Sequence, residues 1–240
     1  MPKSAIPLPN PSELEVRLET GAATTALVYA AVGHPAASAL ILGHGAGAGQ
    51  QSTFMVDFAR ALSSLGLDII TFNFPYTEQH RRIPDRGPVL ESCYRSVIDA
   101  SRAKIASAGR FLFIGGKSMG GRIATQVAAA DPTLPLAGLV LLGYPLHPPG
   151  RPTQRRDQHL PAIGRPILFI QGERDTFGTP SELQPIVNCL HPSPTLRVVN
   201  GGDHSFKLSR KDPAAQAGVF ANIQQDIVNW VRAIVSSSTP

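Results

Sequence analysis

The stretch FLFIGGKSMGGRIAT, residues 111–125, carries the strongest structural signal in the chain. Four apolar residues run directly into two glycines, a pattern typical of a short strand buried on both faces. Gly116, Ser118 and Gly120 match G-x-S-x-G, in which a serine stands at a sharp turn between a strand and a helix. Both flanking positions need glycine because side chains there would collide. The pattern also fits a glycine-rich turn with an incidental serine, so the rest of the chain must decide.

Composition predicts a folded globular chain. Of the 240 residues, 42% are hydrophobic and only 16% are charged, which excludes a disordered protein. The net charge is +5, and arginines concentrate in residues 81–86 and 151–156. These clusters suit an anionic substrate or a polyanion. Since no basic helix, zinc finger or aromatic-basic interleaving accompanies them, we expect no nucleic-acid binding.

Cysteine usage and hydropathy indicate where the chain works. Cys93 and Cys189 have no CxxC partner and no histidine at ligand spacing, so we expect isolated thiols and no metal site. The first residues lack the apolar core of a signal peptide, and no apolar run approaches the ~20 residues of a membrane span. The sequence therefore predicts a cytoplasmic protein without membrane contact.

Apolar patterning predicts an α/β fold with one domain at residues 13–235, a flexible lead-in at 1–12 and a frayed tail at 236–240. Buried strands alternate with helices from residue 39 onward, which favours a mostly parallel central sheet with helices on both faces. Two earlier strands should pair as an antiparallel edge hairpin. The segment 143–165 has little apolar content and is too short for a large lid. The predicted strands are 13–18, 24–29, 39–42, 68–74, 111–114, 138–142, 166–171 and 196–199, and the predicted helices 53–65, 89–106, 119–130, 180–190 and 216–235.

Three side chains follow successive predicted strands, in the order Ser118, Asp175, His204. Carboxyl ends of parallel strands meet at one edge of the sheet, so these groups should converge. A serine hydroxyl needs a base to ionise it, a histidine can take and return that proton, and an aspartate can orient the imidazole. Each residue alone has a structural explanation, such as a helix cap or a loop residue. Their joint order predicts a Ser-His-Asp catalytic site.

An oxyanion needs two backbone N–H donors, and the sequence offers one on each side of the serine. Met119 directly follows the nucleophile, and Ala46 lies in the glycine-rich turn 44–49, HGAGAG. This turn could also be a phosphate loop or a flexible connection, but it lacks the G-K-[ST] of a P-loop. His44 is expected to fix this turn beside the substrate.

Neighbouring charged residues offer competing roles. Glu173 and Asp203 are also carboxylates at strand ends, but Asp175 lies farther past its strand and should reach the histidine more easily. Lys117 is expected to face away from the pocket. Three further side chains could line the mouth of the pocket and favour an anionic substrate, namely Tyr76, Arg81 and Arg82. The alternative is that they belong to a solvated basic loop.

The motifs HGAGAG, GKSMGG, QGERD and GGDHSF together resemble those of α/β-hydrolases over about residues 16–235. Within that superfamily, FPYTE and RRIPDR resemble the dienelactone-hydrolase-like group, near testis-expressed hydrolase-like proteins and the hydrolase-like domain of an NSL chromatin-complex subunit. The resemblance implies the fold and the Ser-His-Asp site. Dienelactone hydrolases proper use a cysteine nucleophile where this chain has Ser118, so their substrate class is not carried over.

The sequence thus predicts a serine hydrolase that cleaves a small ester or thioester through an acyl-enzyme, with no cofactor and a small-molecule acyl substrate. A serine nucleophile argues against dehalogenation and epoxide opening, which use aspartate. The alternative is a catalytically silent scaffold for protein partners, as the resemblance to a chromatin-complex subunit allows. An obstructed site would favour the scaffold, and an open cavity at Ser118 would favour the enzyme.

Overall fold

A computed structural model of the chain describes residues 10–33, 37–209 and 212–238. Most of the predicted lead-in and the last two residues of the predicted tail lie outside the described residues. Within the described ranges, the strands are β1 Ser12–Arg17, β2 Ala23–Tyr29, β3 Ala39–Gly43, β4 Asp68–Phe72, β5 Leu112–Lys117, β6 Leu136–Leu142, β7 Ile167–Gly172 and β8 Thr195–Val199.

These strands form one sheet in the order β1-β2-β4-β3-β5-β6-β7-β8. Strand β2 runs antiparallel to β1 and β4, and the remaining pairs are parallel. The predicted α/β class, with an antiparallel hairpin at one edge, is confirmed. The order places β5, which leads to Ser118, in the middle of the sheet, where neighbours on both sides hold it.

The helices are α1 Thr53–Ser64, α2 Pro75–Glu78, α3 Gly87–Lys104, α4 Ala106–Arg110, α5 Met119–Ala130, α6 Pro180–Cys189 and α7 Pro213–Ser237, with a 3-10 turn at Leu160–Ala162. They cover both faces of the sheet, as alternate residues of β5 show. Leu112 and Ile114 belong to the core under α3, α5 and α6. Phe113 belongs to the core under α1 and α7. No helix in the described part of the chain is long and apolar enough to cross a membrane.

Four details differ from the sequence prediction. Strand β4 ends at Phe72, and Pro75 begins the short helix α2, because proline at a first helical position costs no hydrogen bond. Helix α7 begins at Pro213, where Asp212 accepts hydrogen bonds from the next N–H groups, and it continues to Ser237 into the predicted tail. The long helix before β5 ends at Lys104, and α4 follows. The segment 143–165 contributes more to the core than its low apolar content predicts, since it buries Tyr144, Leu146, Leu160 and Ile163 there.

Candidate active site

The turn between β5 and α5 holds Ser118 in a strained conformation, with φ of 50° and ψ of −113°. Positive φ is unfavourable for a residue with a Cβ, so the surroundings must enforce it. Gly116 has φ of 151°, and a Cβ there would collide with the Gly43 backbone. A Cβ on Gly120 would strike the same backbone. The predicted reason for both glycines, close approach of chain segments, is what the structure shows.

The three residues that sequence analysis grouped form a chain of contacts in which His204 bridges Asp175 and Ser118. His204 Nε2 is 2.9 Å from Ser118 Oγ. His204 Nδ1 is 2.8 Å from Asp175 Oδ2 and 2.9 Å from Oδ1. Asp175 is 1% exposed, and it also accepts hydrogen bonds from the Gln171 side chain and the Phe177 N–H, each at 2.8 Å. The buried carboxylate is thus fully hydrogen-bonded and holds the imidazole with its other nitrogen toward the serine.

The two competing carboxylates bind backbone instead. Asp203 Oδ1 accepts from the N–H groups of Ser205 and Lys207, at 2.8 and 2.9 Å. Glu173 accepts from the Gly201 N–H at 2.6 Å. Both carboxylates shape the loop that carries His204, and neither contacts its ring.

The two predicted oxyanion donors border the serine. Met119 is the first residue of α5, and Ala46 lines a cavity together with Ser118. Among the residues that the structure describes, neither N–H donates a hydrogen bond. Both are therefore free to bind a substrate oxygen, as a helix start and a glycine-rich turn allow.

His44 is placed differently from a substrate-binding residue. It is fully buried and outside the lining of the Ser118 cavity. Its Nδ1 donates to the Gly45 carbonyl at 2.9 Å, and its Nε2 accepts from the Phe74 N–H at 3.2 Å. Burial lowers the pKa of His44, which favours this neutral ring. His44 thus fixes the turn, as expected, but from beneath it.

Tyr76, Arg81 and Arg82 also lie outside the Ser118 cavity. They line a separate, neighbouring depression that shares only Ala48 and Ser52 with the lining of the serine cavity. Tyr76 is 1% exposed, and Arg81 forms a 2.6 Å ion pair with Asp85. The sequence predicts these side chains at the mouth of the serine pocket, and the structure places them elsewhere.

Lys117 was expected to face away from the pocket, and it does the opposite. Its side chain is 9% exposed and lines the cavity, and its Nζ donates to the His204 carbonyl at 2.6 Å. Burial lowers the pKa of Lys117 from 10.5 to about 8, although Asp175 and Asp203 nearby raise it. The lysine ties the end of β5 to the histidine loop.

The cavity at Ser118 opens to the surface and has a volume of about 530 Å³. Sequence analysis missed most of its apolar wall, namely Phe54, Met55, Phe177 and Phe220. Phe54 lies in a predicted amphipathic helix, where an apolar residue indicates core packing, and no local signal connects Phe220 to the site. In the described parts of the chain, no three His, Cys, Asp or Glu side chains cluster closely enough to hold a metal ion.

Comparison with known proteins identifies the family of this chain. Several solved structures share the fold at low identity: an alpha-beta serine hydrolase homologue from Coxiella burnetii (TM-score 0.71, 17% identity, covering 94% of this chain and 99% of that one), a serine hydrolase without a lid from Xanthomonas campestris (0.66, 21%, 98% and 100%), and a dienelactone hydrolase from Anabaena variabilis (0.70, 20%, 94% and 99%). At these identities the likeness shows the fold alone. A family model described as an alpha/beta hydrolase domain matches residues 36–232, and the chain therefore belongs to the alpha/beta hydrolase family.

Proposed function

We propose that this chain is a serine hydrolase that cleaves a small ester or thioester through an acyl-enzyme. One observation carries the proposal: a continuous hydrogen-bonded chain runs from Asp175 through His204 to Ser118, and Ser118 borders an open cavity. A silent scaffold does not need a serine both activated and accessible. The cavity therefore favours the enzyme over the scaffold.

The geometry supports a two-step reaction. Ser118 Oγ attacks the substrate carbonyl while His204 Nε2 takes its proton, and Asp175 stabilises the imidazolium that forms. The N–H groups of Ala46 and Met119 bind the oxyanion. His204 then returns the proton to the leaving group, which leaves an acyl group on Ser118. In the second step His204 activates water, which releases the acid and regenerates the serine.

A fluorophosphonate probe tests this proposal because it reacts only with an activated serine. We expect the wild type to be labelled, Ser118→Ala to show no labelling, and His204→Ala to react at least about 10⁴-fold more slowly. Circular dichroism of each variant checks that it is folded. No labelling of the folded wild type would overturn catalysis and direct attention to protein partners.

Asp175→Asn tests the third residue. An amide cannot stabilise the imidazolium, so we expect kcat/KM for an activated ester to fall by about 10³ to 10⁴-fold. Asp203→Asn is the matched control, because it makes the same chemical change next to His204 without touching the ring. Its amide oxygen can still accept from Ser205 and Lys207, and we expect activity near that of the wild type. Equal losses in both variants would contradict the role given to Asp175.

A further inference from the structure

The cavity beside Ser118 has an aromatic wall built from two distant parts of the chain. Phe54 and Met55 belong to the first turn of α1, and Phe220 belongs to α7. The rings of Phe54 and Phe220 meet edge to face, with centroids 6.2 Å apart and planes at 87°. This surface faces the reaction site.

The rings of the wall pack against one another and against a buried third ring. Phe58, which is 1% exposed, stacks on Phe54 at 4.2 Å and meets Phe220 edge to face at 5.5 Å. Phe54 and Phe220 are themselves only half-buried, so apolar area remains open to water in the cavity. A substrate that covers this area gains hydrophobic free energy at little cost for ordering the wall.

The charges around the cavity do not select for an anion. Its charged lining residues are Asp57, Lys117 and Lys207. Lys117 is occupied by the His204 carbonyl, while Asp57 and Lys207 are exposed and of opposite sign. Arg81 and Arg82, which the sequence suggested for an anionic substrate, line the separate depression. An acyl group that ends in a carboxylate would find apolar walls and one buried cation, Lys117, which already donates to the His204 carbonyl and has the carboxylates of Asp175 and Asp203 near it.

The cavity also contains the predicted oxyanion donor Ala46 and a further aromatic ring, Phe177. Phe54 and Met55 follow the turn that carries Ala46, where the substrate oxygen would bind. Phe177 stacks on His204, with ring centroids 4.2 Å apart, and this imidazole must reach the leaving group. The leaving group must lie within reach of His204, beside Phe177, which leaves the wall on α1 and α7 for the acyl group.

We propose that the Phe54–Met55–Phe220 wall binds an uncharged apolar acyl group of medium length, larger than acetyl. This inference rests on the proposed serine hydrolase function and names the substrate class of that site. It predicts selection by the apolar area of the acyl group, with no requirement for charge.

A series of p-nitrophenyl esters tests the proposal because the leaving group stays constant. Each buried methylene should raise kcat/KM about fourfold, so we expect hexanoate, with four more methylenes, to exceed acetate by roughly 250-fold if all four are buried. The p-nitrophenyl monoester of succinic acid should react more slowly than the butyrate ester. Equal rates along the series, or a preference for the succinate, would overturn the inference.

Two isomeric substrates test which side of the ester the wall binds. Ethyl hexanoate and hexyl acetate have the same atoms, but the chain lies on the acyl side in the first and on the alcohol side in the second. We expect faster hydrolysis of ethyl hexanoate, and the reverse order would overturn the assignment to the acyl group.

Phe220→Ala links the selectivity to the wall, and Val219→Ala is its control. Val219 is the preceding residue on α7 and packs against the core outside the cavity lining. We expect the hexanoate-to-acetate ratio to fall at least about fivefold in Phe220→Ala and to remain unchanged in Val219→Ala. Fluorophosphonate labelling of Ser118 distinguishes a failure of this inference from a failure of the proposed function. Labelling without acyl selectivity overturns this inference alone, whereas no labelling overturns the proposed function as well.

Discussion

At the residue scale, Lys117 is the side chain whose chemistry differs most from expectation. Sequence patterns place it on the far side of the turn because neighbours along a strand point to opposite faces. Within β5, however, Lys117 lies four residues after Phe113 and points to the same face, under α1 and α7, where the cavity is. The lysine therefore reaches the histidine loop, and its ammonium group is largely buried from solvent.

The lowered pKa of Lys117 predicts a pH dependence of stability. Burial lowers this pKa from 10.5 to about 8, so below pH 8 the buried charge of Lys117 destabilises the folded state. Between about pH 8 and 10.5 the unfolded chain binds more protons than the folded one, and stability rises with pH. Lys117→Met lacks this contribution. We expect the difference in free energy of unfolding, wild type minus variant, to increase between pH 7 and pH 10.

Urea denaturation of both proteins at the two pH values measures this difference. The subtraction cancels other groups that titrate in the same range, including the buried tyrosines, whose raised pKa values act in the opposite direction. A difference that stays constant or decreases would show that Lys117 remains charged in the folded protein.

At the element scale, the packing of α5 against β3 determines the position of the serine. Gly120 brings the first turn of α5 against the backbone of Gly43 and His44. No side chain fits between these two elements, so the helix start stays close to the oxyanion turn. The glycine pattern around Ser118 is thus a requirement of packing between elements as well as of the turn itself.

Two Gly→Ala variants separate packing from helix propensity. Gly120→Ala should lower the free energy of unfolding by about 3 kcal/mol or more, because backbone atoms must move to admit the methyl group. Gly218→Ala is the matched control in α7, where a Cβ meets nothing within 4 Å. There we expect a gain of up to about 1 kcal/mol. Chemical denaturation measures both, and a neutral Gly120→Ala would contradict the close contact.

At the scale of the whole molecule, Tyr94 joins a helix to the centre of the sheet. It lies in α3 and is fully buried. Its hydroxyl is 2.6 Å from the Gly115 carbonyl and 3.1 Å from the Ile41 carbonyl, and it accepts from the Gly115 N–H at 3.0 Å. One side chain thus connects α3, β3 and β5 immediately below the serine turn.

Tyr94→Phe removes this connection and keeps the ring. The Gly115 N–H would lose a buried hydrogen-bond partner, which costs about 1 to 3 kcal/mol. We expect a loss of unfolding free energy of this size in urea denaturation. A variant as stable as the wild type would mean that the sheet re-forms its own hydrogen bonds without the hydroxyl.

The sequence by itself determined the α/β class, the edge hairpin and the serine turn. It also identified Asp175 and His204, which the structure brings into contact with Ser118. These features depend on short-range rules: apolar runs of strand length, glycines where the backbone needs them, and polar residues directly after buried strands. Parallel strands place such residues at one edge without further information.

Only the tertiary structure decided the rest of the site. Phe54 and Phe220 become one wall because α1 and α7 pack side by side on one face of the sheet, and no local pattern relates residues that far apart in the chain. Tyr76, Arg81 and Arg82 line a neighbouring depression that shares only Ala48 and Ser52 with the cavity. Lys117 points into the cavity because the cavity lies on the face of the sheet under α1 and α7, to which the pleat of β5 directs this side chain. Each outcome depends on how whole elements pack, which short-range patterns do not encode.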